Sequence, residues 1–244
     1  MCGRYSLFTP AEKLAERFDV DVSAYKPRYN AAPSQSLPVI TDTERNTLKT
    51  VEWGLVPQWA DSRDDGGHIN ARGESLTTTA SFRDAFEQQS EGELTAGRCL
   101  VPADGFYEWV ETDGGKQPYR VARADERPFA MAGLWTQWHP PTTQTGLGSF
   151  ADGSANVETD IVETFTIVTT EPNDLVEDLH HRMAVILEKE DEQQWLNGSV
   201  SVAESLLEPY PPDSMQSYPV SKAVNNPSND SPALVEPVDV DSGS

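Results

Sequence analysis

An α+β fold is what this sequence predicts: one domain on a curved, mainly antiparallel β-sheet, with a few isolated helices at its periphery. Two observations carry that reading. Short apolar segments recur along the chain, each bounded by Gly, Pro, Asn or Asp, whereas helical periodicity is confined to brief stretches. The chain also has 244 residues, 37% of them hydrophobic, with 6 Trp, 8 Phe and 7 Tyr, enough to bury a substantial core.

Taken in order, Thr9-Pro10-Ala11-Glu12 reads as a helix start, with Thr9 as N-cap and Pro10 in the first turn, and the helix runs to Phe18. Arg28–Pro33 reads as a loop entering a strand at Ser36–Thr41, and a turn at Asn46 precedes Leu48–Gly54. Val56-Pro57-Gln58-Trp59 opens a Gly- and Asp-rich loop, Asp61–Gly67, which ends in Ile69-Asn70-Ala71-Arg72. A helix is expected over Ser81–Gln88. Strands at Cys99–Pro102 and Phe106–Val110 flank Ala103-Asp104-Gly105, and Asp113-Gly114-Gly115 turns the chain into a strand at Pro118–Arg123. Pro128–Thr136 reads as a buried strand, His139–Val162 as a long surface loop and Thr164–Thr170 as an alternating strand. Asn173–Leu179 is a short helix, Met183–Leu187 a strand, and Glu190–Leu196 and Val202–Leu207 are helical. From Asn225 to Ser244 there is no Lys or Arg, and the composition is that of a disordered acidic tail. The expected division is therefore a domain over 2–224 and a tail over 225–244.

The formal net charge is −22, from 40 acidic and 18 basic residues. The acids are scattered rather than gathered in one block, which reads as adaptation to concentrated salt, the habit of a halophile, more than as a partner-binding patch. No stretch approaches the roughly 18 consecutive apolar residues of a membrane span. No apolar h-region follows Met1, so a cytoplasmic location is expected, where Cys2 and Cys99 stay reduced.

Chemistry is sparse in this chain, which narrows the candidates. There is no metal-ligand spacing, no G-x-S-x-G elbow and no phosphate-binding glycine pattern. Cys2 stands out. Trimming of the initiator Met leaves an N-terminal cysteine with an α-amine of pKa about 7.7–8.0 and a thiol of about 8.5 on adjacent carbons. Such an aminothiol captures an aldehyde twice, as an imine and then as a thiazolidine ring. The alternative is a small hydrophobe that follows Met and packs. Glu108, flanked by Phe106, Tyr107 and Trp109, is a general acid/base if its carboxyl lies against the rings, and an ordinary solvent-facing strand residue otherwise. Asn70 follows the Gly-rich loop, and the pair His180-His181 sits between a helix and an apolar strand.

Met1-Cys2-Gly3-Arg4-Tyr5, Arg28-Tyr29-Asn30-Ala31-Ala32-Pro33, Trp53-Gly54-Leu55-Val56-Pro57, Ile69-Asn70-Ala71-Arg72, the run from Arg98 to Trp109, His180-His181-Arg182-Met183 and Pro219-Val220-Ser221 occur in that order. With these motifs the chain resembles the SOS-response-associated peptidase (SRAP) family over residues 2–226. The resemblance implies a barrel-like SRAP domain that shields abasic sites in single-stranded DNA by a covalent bond from Cys2 to the ring-opened deoxyribose. AP-lyase and self-processing peptidase activities are implied beside it. Cys2 matches the family's nucleophile, Asn70 its active-site amide, Glu108 its acid/base and His180 the histidine of its His-x-Arg motif. His181 falls at the variable position. Arg4, Arg72 and Arg182 match basic positions near the phosphates. Trp59 and Tyr107 are expected to stack on bases beside the gap. Ala184 and Ser75 depart from the family's usual Pro and Thr without touching a reacting group.

A monomer without cofactor or metal is expected. In the extended segment entering Met183, His180 and Arg182 would share the DNA-facing side and His181 would turn away. Two other classes compete: an N-terminal-nucleophile amidohydrolase or cysteine peptidase, which also begins Met-Cys-Gly, and a non-catalytic single-strand binding module.

Overall fold

Two strands are buried along almost their whole length on both faces, a pattern that belongs where a sheet is covered on both sides. In β6 (Ala96–Ala103) every residue is buried, and in β9 (Phe129–Trp138) all but Gln137. The remaining strands are β1 (Tyr5–Leu7), β2 (Arg28–Ala31), β3 (Ser36–Thr41), β4 (Lys49–Trp53), β5 (Asn70–Arg72), β7 (Gly105–Thr112), β8 (Gly115–Arg123), β10 (Val162–Thr170), β11 (Met183–Ala184), β12 (Ile186–Leu187) and β13 (Met215–Pro219). Helices are short: α1 (Ala11–Phe18), α2 (Ala80–Phe86), α3 (Asp174–Glu177), α4 (Glu192–Asn197) and α5 (Val200–Glu204). The structure is a computed structural model and describes residues 2–89, 92–140 and 161–239.

Five strands close into a barrel. β3 pairs with β4 and β6, β9 with β6 and β10, and β10 returns parallel to β4. Closure leaves no free edge in that ring. Gly133 on β9 permits it locally, because a Cβ there would lie 2.8 Å from Cys99 Sγ and 3.0 Å from the Thr166 carbonyl. A second, antiparallel sheet runs β13-β8-β7-β1-β2. Tyr5 joins the two, its ring 5.4 Å from Trp53, which stacks on Phe165 at 6.1 Å. The expected α+β class with a curved, barrel-like core is what the chain adopts.

Several elements differ from the sequence reading. Arg28–Ala31 is a strand, not a loop, because it pairs with β1. Thr9 does not cap α1: its hydroxyl donates to the Asp104 carboxylate, which also accepts the Phe8 and Thr9 N–H groups, and the helix starts after Pro10 without a side-chain cap. Met183–Leu187 is two strands, since Val185 bonds across to Val168 and Ala132 while the chain passes from β10 to β9. α5 begins earlier than expected, on the Ser199 cap, and β13 was not foreseen.

The C-terminus is the largest correction. Residues 225–239, read as disordered, pack on the outer face of the second sheet, where Val220, Val224 and Leu234 bury against Tyr107. The Asn30 side-chain amide donates to the carbonyls of Val224, Asn226 and Asn229 at 3.2, 3.1 and 2.8 Å. Asp230 accepts from the Tyr29 N–H at 2.6 Å and from Arg28 at 3.1 Å. A polar composition therefore serves to satisfy backbone groups, and Leu234 and Val235 supply the apolar contact. Of the long loop read over His139–Val162, residues 141–160 lie outside the described residues, as do 240–244 of the tail.

Replacing Asn30 by Ala would strand three carbonyls against the second sheet. We expect a loss of about 2–4 kcal/mol in urea unfolding, and new proteolytic cleavage after Pro219 under conditions where the wild type resists.

Candidate active site

The site grows from the register of β1 on β7. Tyr5 lies opposite Phe106 and the Tyr107 N–H bonds to the Arg4 carbonyl at 2.9 Å, so continuing the ladder sets Gly3 across from Glu108. Cys2 is wholly buried just before that strand. Its carbonyl accepts the Asn70 side-chain amide at 3.0 Å. Asn70 is fixed in turn because β5 runs parallel to β10, Asn70 beside Ile167. The other side-chain atom of Asn70, Oδ1, is buried with no hydrogen-bond partner among the described residues.

Glu108 shares the face of β7 that Phe106 turns to the core, and only 2% of it is exposed. The solvent-facing alternative is thereby excluded. Burial pushes its carboxyl up to about 7, while the positive amino terminus pulls the other way. The Cys2 thiol is pushed well above its ordinary value, first by burial and then by the charge of Glu108; the amino terminus opposes this. His180 is held below the usual imidazole range by partial burial, by the amino terminus and by His181. Thus Cys2, Glu108 and His180 all feel the start of the chain, and Asn70 tethers it. Four expected residues come together.

An open cleft of about 330 Å³ reaches two of the four, Glu108 and His180, and is lined besides by Trp109, Lys116 and Asn225. His180 Nδ1 lies 3.0 Å from the Arg182 N–H and 3.2 Å from the Arg182 carbonyl. It accepts from the first when neutral and donates to the second when protonated, so the backbone holds the ring in either state. The two histidines do not face opposite ways. The chain here is not extended, and their rings stack at 4.2 Å with an interplanar angle of 27°.

The expected DNA-facing residues divide. Arg72 is exposed, and Trp59 is 50% exposed with its indole N–H 3.4 Å from the Ala80 carbonyl. Arg4 is partly buried, its Nη1 donating to Asn30 Oδ1 and the Val224 carbonyl, both at 2.8 Å. Arg182 is turned inward: its guanidinium grips Glu74 bidentately at 2.8 and 2.7 Å and donates to the Thr169 carbonyl at 2.8 Å. That pairing holds the Glu74 carboxyl below its usual range and removes Arg182 from the phosphate-facing set. Tyr107 is fully buried, its hydroxyl donating to the Tyr29 carbonyl at 2.6 Å, so it cannot stack on a base.

Sequence reasoning passed over Trp109, Lys116 and Asn225. Tyr107 and Trp109 share one strand face, and what separates them is the C-terminal segment, which covers the first and leaves the second at the cleft. Among the described residues, no group of three or more His, Cys, Asp or Glu could hold a metal ion, and no helix is long and apolar enough to cross a membrane.

The family model for SOS response associated peptidase (SRAP) matches residues 1–227. The chain belongs to the SRAP family. It is 40% identical to abasic site processing protein YoqW of Bacillus subtilis (strain 168), over 97% of this chain and 99% of that one. It is 30% identical to abasic site processing protein YedK of Escherichia coli (strain K12), over 98% and 100%, and 30% identical to abasic site processing protein HMCES of Gallus gallus, over 88% and 68%. Among solved structures, a protein from Bacteroides thetaiotaomicron superposes with a TM-score of 0.78 at 26% identity, covering 97% of this chain and all of that one (100%).

Glu108 should cost the SRAP domain stability. A carboxyl with a native pKa of about 7 stays neutral while the unfolded chain ionises near 4.5, so stability present below pH 4.5 is lost as pH rises to about 7. At about 1.4 kcal/mol per pH unit, Glu108→Gln should gain of order 3 kcal/mol over wild type at pH 8 and nothing at pH 4. Urea titrations at the two pH values measure it.

Proposed function

We propose that this protein captures abasic sites in single-stranded DNA, acting as a monomer, by forming a thiazolidine crosslink through Cys2. The observation that carries the reading is the buried Cys2 tethered by Asn70 beside a carboxyl poised near neutrality, at an open cleft. The names of the relatives point to the same substrate. Loss of Met1 places the α-amine on Cys2, the residue whose thiol feels the charge of Glu108.

The chemistry follows in balanced steps. Glu108 in its acid form donates a proton to the sugar ring oxygen, the C1′–O4′ bond breaks, and the C1′ hydroxyl gives its proton to water, which leaves the open-chain aldehyde. The Cys2 amine adds to the aldehyde carbon, and water leaves as the imine forms. The thiol then adds to the imine carbon while its proton passes to nitrogen, which closes the five-membered ring. The open Oδ1 of Asn70 is suited to accept from the amine and aim its lone pair. His180 or the Glu108 carboxylate, by taking a proton from C2′ of the imine, would release the 3′-phosphate, which is AP-lyase chemistry. Trp59 and Trp109 offer aromatic faces to flanking bases, and Arg72 and Lys116 offer charge to the backbone.

Incubation with abasic single-stranded DNA, followed by a denaturing gel, tests the reading. Wild type lacking Met1 should give a heat-stable adduct, and Cys2→Ser should bind the strand without one. A heat-stable adduct from protein that intact-mass analysis shows to retain Met1 overturns the thiazolidine. Glu108→Gln should slow adduct formation by about 10²–10⁴-fold. Because the acid form does the work, the wild-type rate should fall as pH rises through about 7 and the variant's should not.

A further inference from the structure

We infer that Asn225 is a positioning residue that fixes the Trp109 indole as one wall of the cleft, so that the C-terminal segment completes the DNA site. The inference rests on the DNA-handling reading above and concerns a residue to which that reading gives no part. Trp109 Nε1 donates to Asn225 Oδ1 at 2.6 Å, and both side chains line the cleft with Glu108 and His180.

The acceptor is held on both sides. Its neighbours Val224 and Asn226 give their carbonyls to the Asn30 amide at 3.2 and 3.1 Å. The turn that carries it, Lys222–Asn225, starts on the Ser221 hydroxyl, which accepts from the Ala223 N–H at 3.2 Å. Lys222 Nζ donates to the Gly114 carbonyl at 2.9 Å, so the same turn ties down the β7–β8 hairpin that bears Lys116. Arg4 also lies over the indole, its guanidinium carbon 6.0 Å from the ring centroid and its Nη1 donating to the Val224 carbonyl.

The physical need is plain at this point of β7. Exposure rises along the strand from buried Glu108 to half-buried Trp109 and exposed Glu111. A large ring at that margin keeps several rotamers unless a partner selects one. A base that stacks on a ring already fixed does not lose affinity to the ordering of that ring. Asn225 therefore acts on strand binding through Trp109, and proton transfer at Glu108 does not involve it.

Asn225→Ala, Trp109→Phe (which keeps an aromatic face and loses the N–H) and the double variant separate the possibilities. Each is assayed with abasic single-stranded DNA for the half-saturating concentration and for the adduct rate at saturation. Asn225→Ala should raise half-saturation about 3- to 10-fold with the saturating rate within about twofold, and the double variant should be no worse than the poorer single one. Acrylamide quenching, read as the difference between each protein and its Trp109→Phe counterpart, reports the ring without DNA. Quenching should increase in Asn225→Ala and return to the wild-type level in Asn225→Asp, which keeps the acceptor oxygen. Additive effects on half-saturation, or quenching unchanged in Asn225→Ala, overturn the inference. A wild type that neither binds nor crosslinks abasic DNA overturns the function proposed above, while the quenching pair still decides whether Asn225 holds the ring.

Discussion

The rest of the structure depends on holding the first residues of the chain in place. A terminus ordinarily frays unless it is tied down. Here β1 is only three residues long, yet it is paired on both sides, Tyr5 opposite Ala31 on β2 and opposite Phe106 on β7. The Tyr5 ring anchors that strand on Trp53 of the barrel, and the Asn70 amide takes the carbonyl of Cys2. Because side chains alternate along a strand, one register decides everything downstream. A slip of β7 by one residue would send Glu108 to the outer face and Tyr107 into the core.

Charge is handled in a way that the net value of −22 hides. Many cations are matched to a carboxylate within the molecule, as in Arg17 with Glu192, Arg28 with Asp230 and Arg182 with Glu74. Such pairs stabilise little at the surface, but they withdraw positive charge from any ligand. Around the cleft the pattern changes. Lys116 meets Glu111 only at 3.5 Å with both side chains largely exposed, so it is at liberty to turn to a phosphate. In concentrated salt, where the screening length is about 3 Å at 1 M, attraction of this kind is short-ranged. A covalent bond is insensitive to that screening.

The barrel strands were legible where their apolar runs are long and cleanly bounded, as at Ser36–Thr41, which is β3 residue for residue. Cys2, Asn70, Glu108 and His180 were legible because motifs mark them in the order of the chain. Contacts between distant segments were not. Nothing local to Tyr107 reveals that Val220, Val224 and Leu234 cover it, and nothing local to residues 224–239 reveals three carbonyls waiting for Asn30. Composition called that segment solvated because polar side chains that satisfy a folded backbone look the same as those that face water. Arg182 misled for a related reason: its motif gives its position, and the partner that turns it inward, Glu74, lies on another element.

Burial also sets the order of events in the proposed capture. With its thiol pushed well up by desolvation and by the charge of Glu108, Cys2 is not a resting thiolate, and sulfur is the poorer first nucleophile. The amine needs no deprotonation of sulfur, since an α-amine is nucleophilic in its neutral form and its ordinary pKa is only about 7.7–8.0. Amine attack must therefore come first. Once Glu108 has given its proton to the sugar in that scheme, it is a carboxylate near the thiol, placed to relay the thiol proton to the imine nitrogen. The sulfur is released only when an imine carbon is already at hand to receive it. A buried thiol that is inert until its electrophile has formed is protected from oxidation and from stray alkylation. In the proposed capture, the same burial that holds the terminus in place would thus keep Cys2 in reserve for the aldehyde.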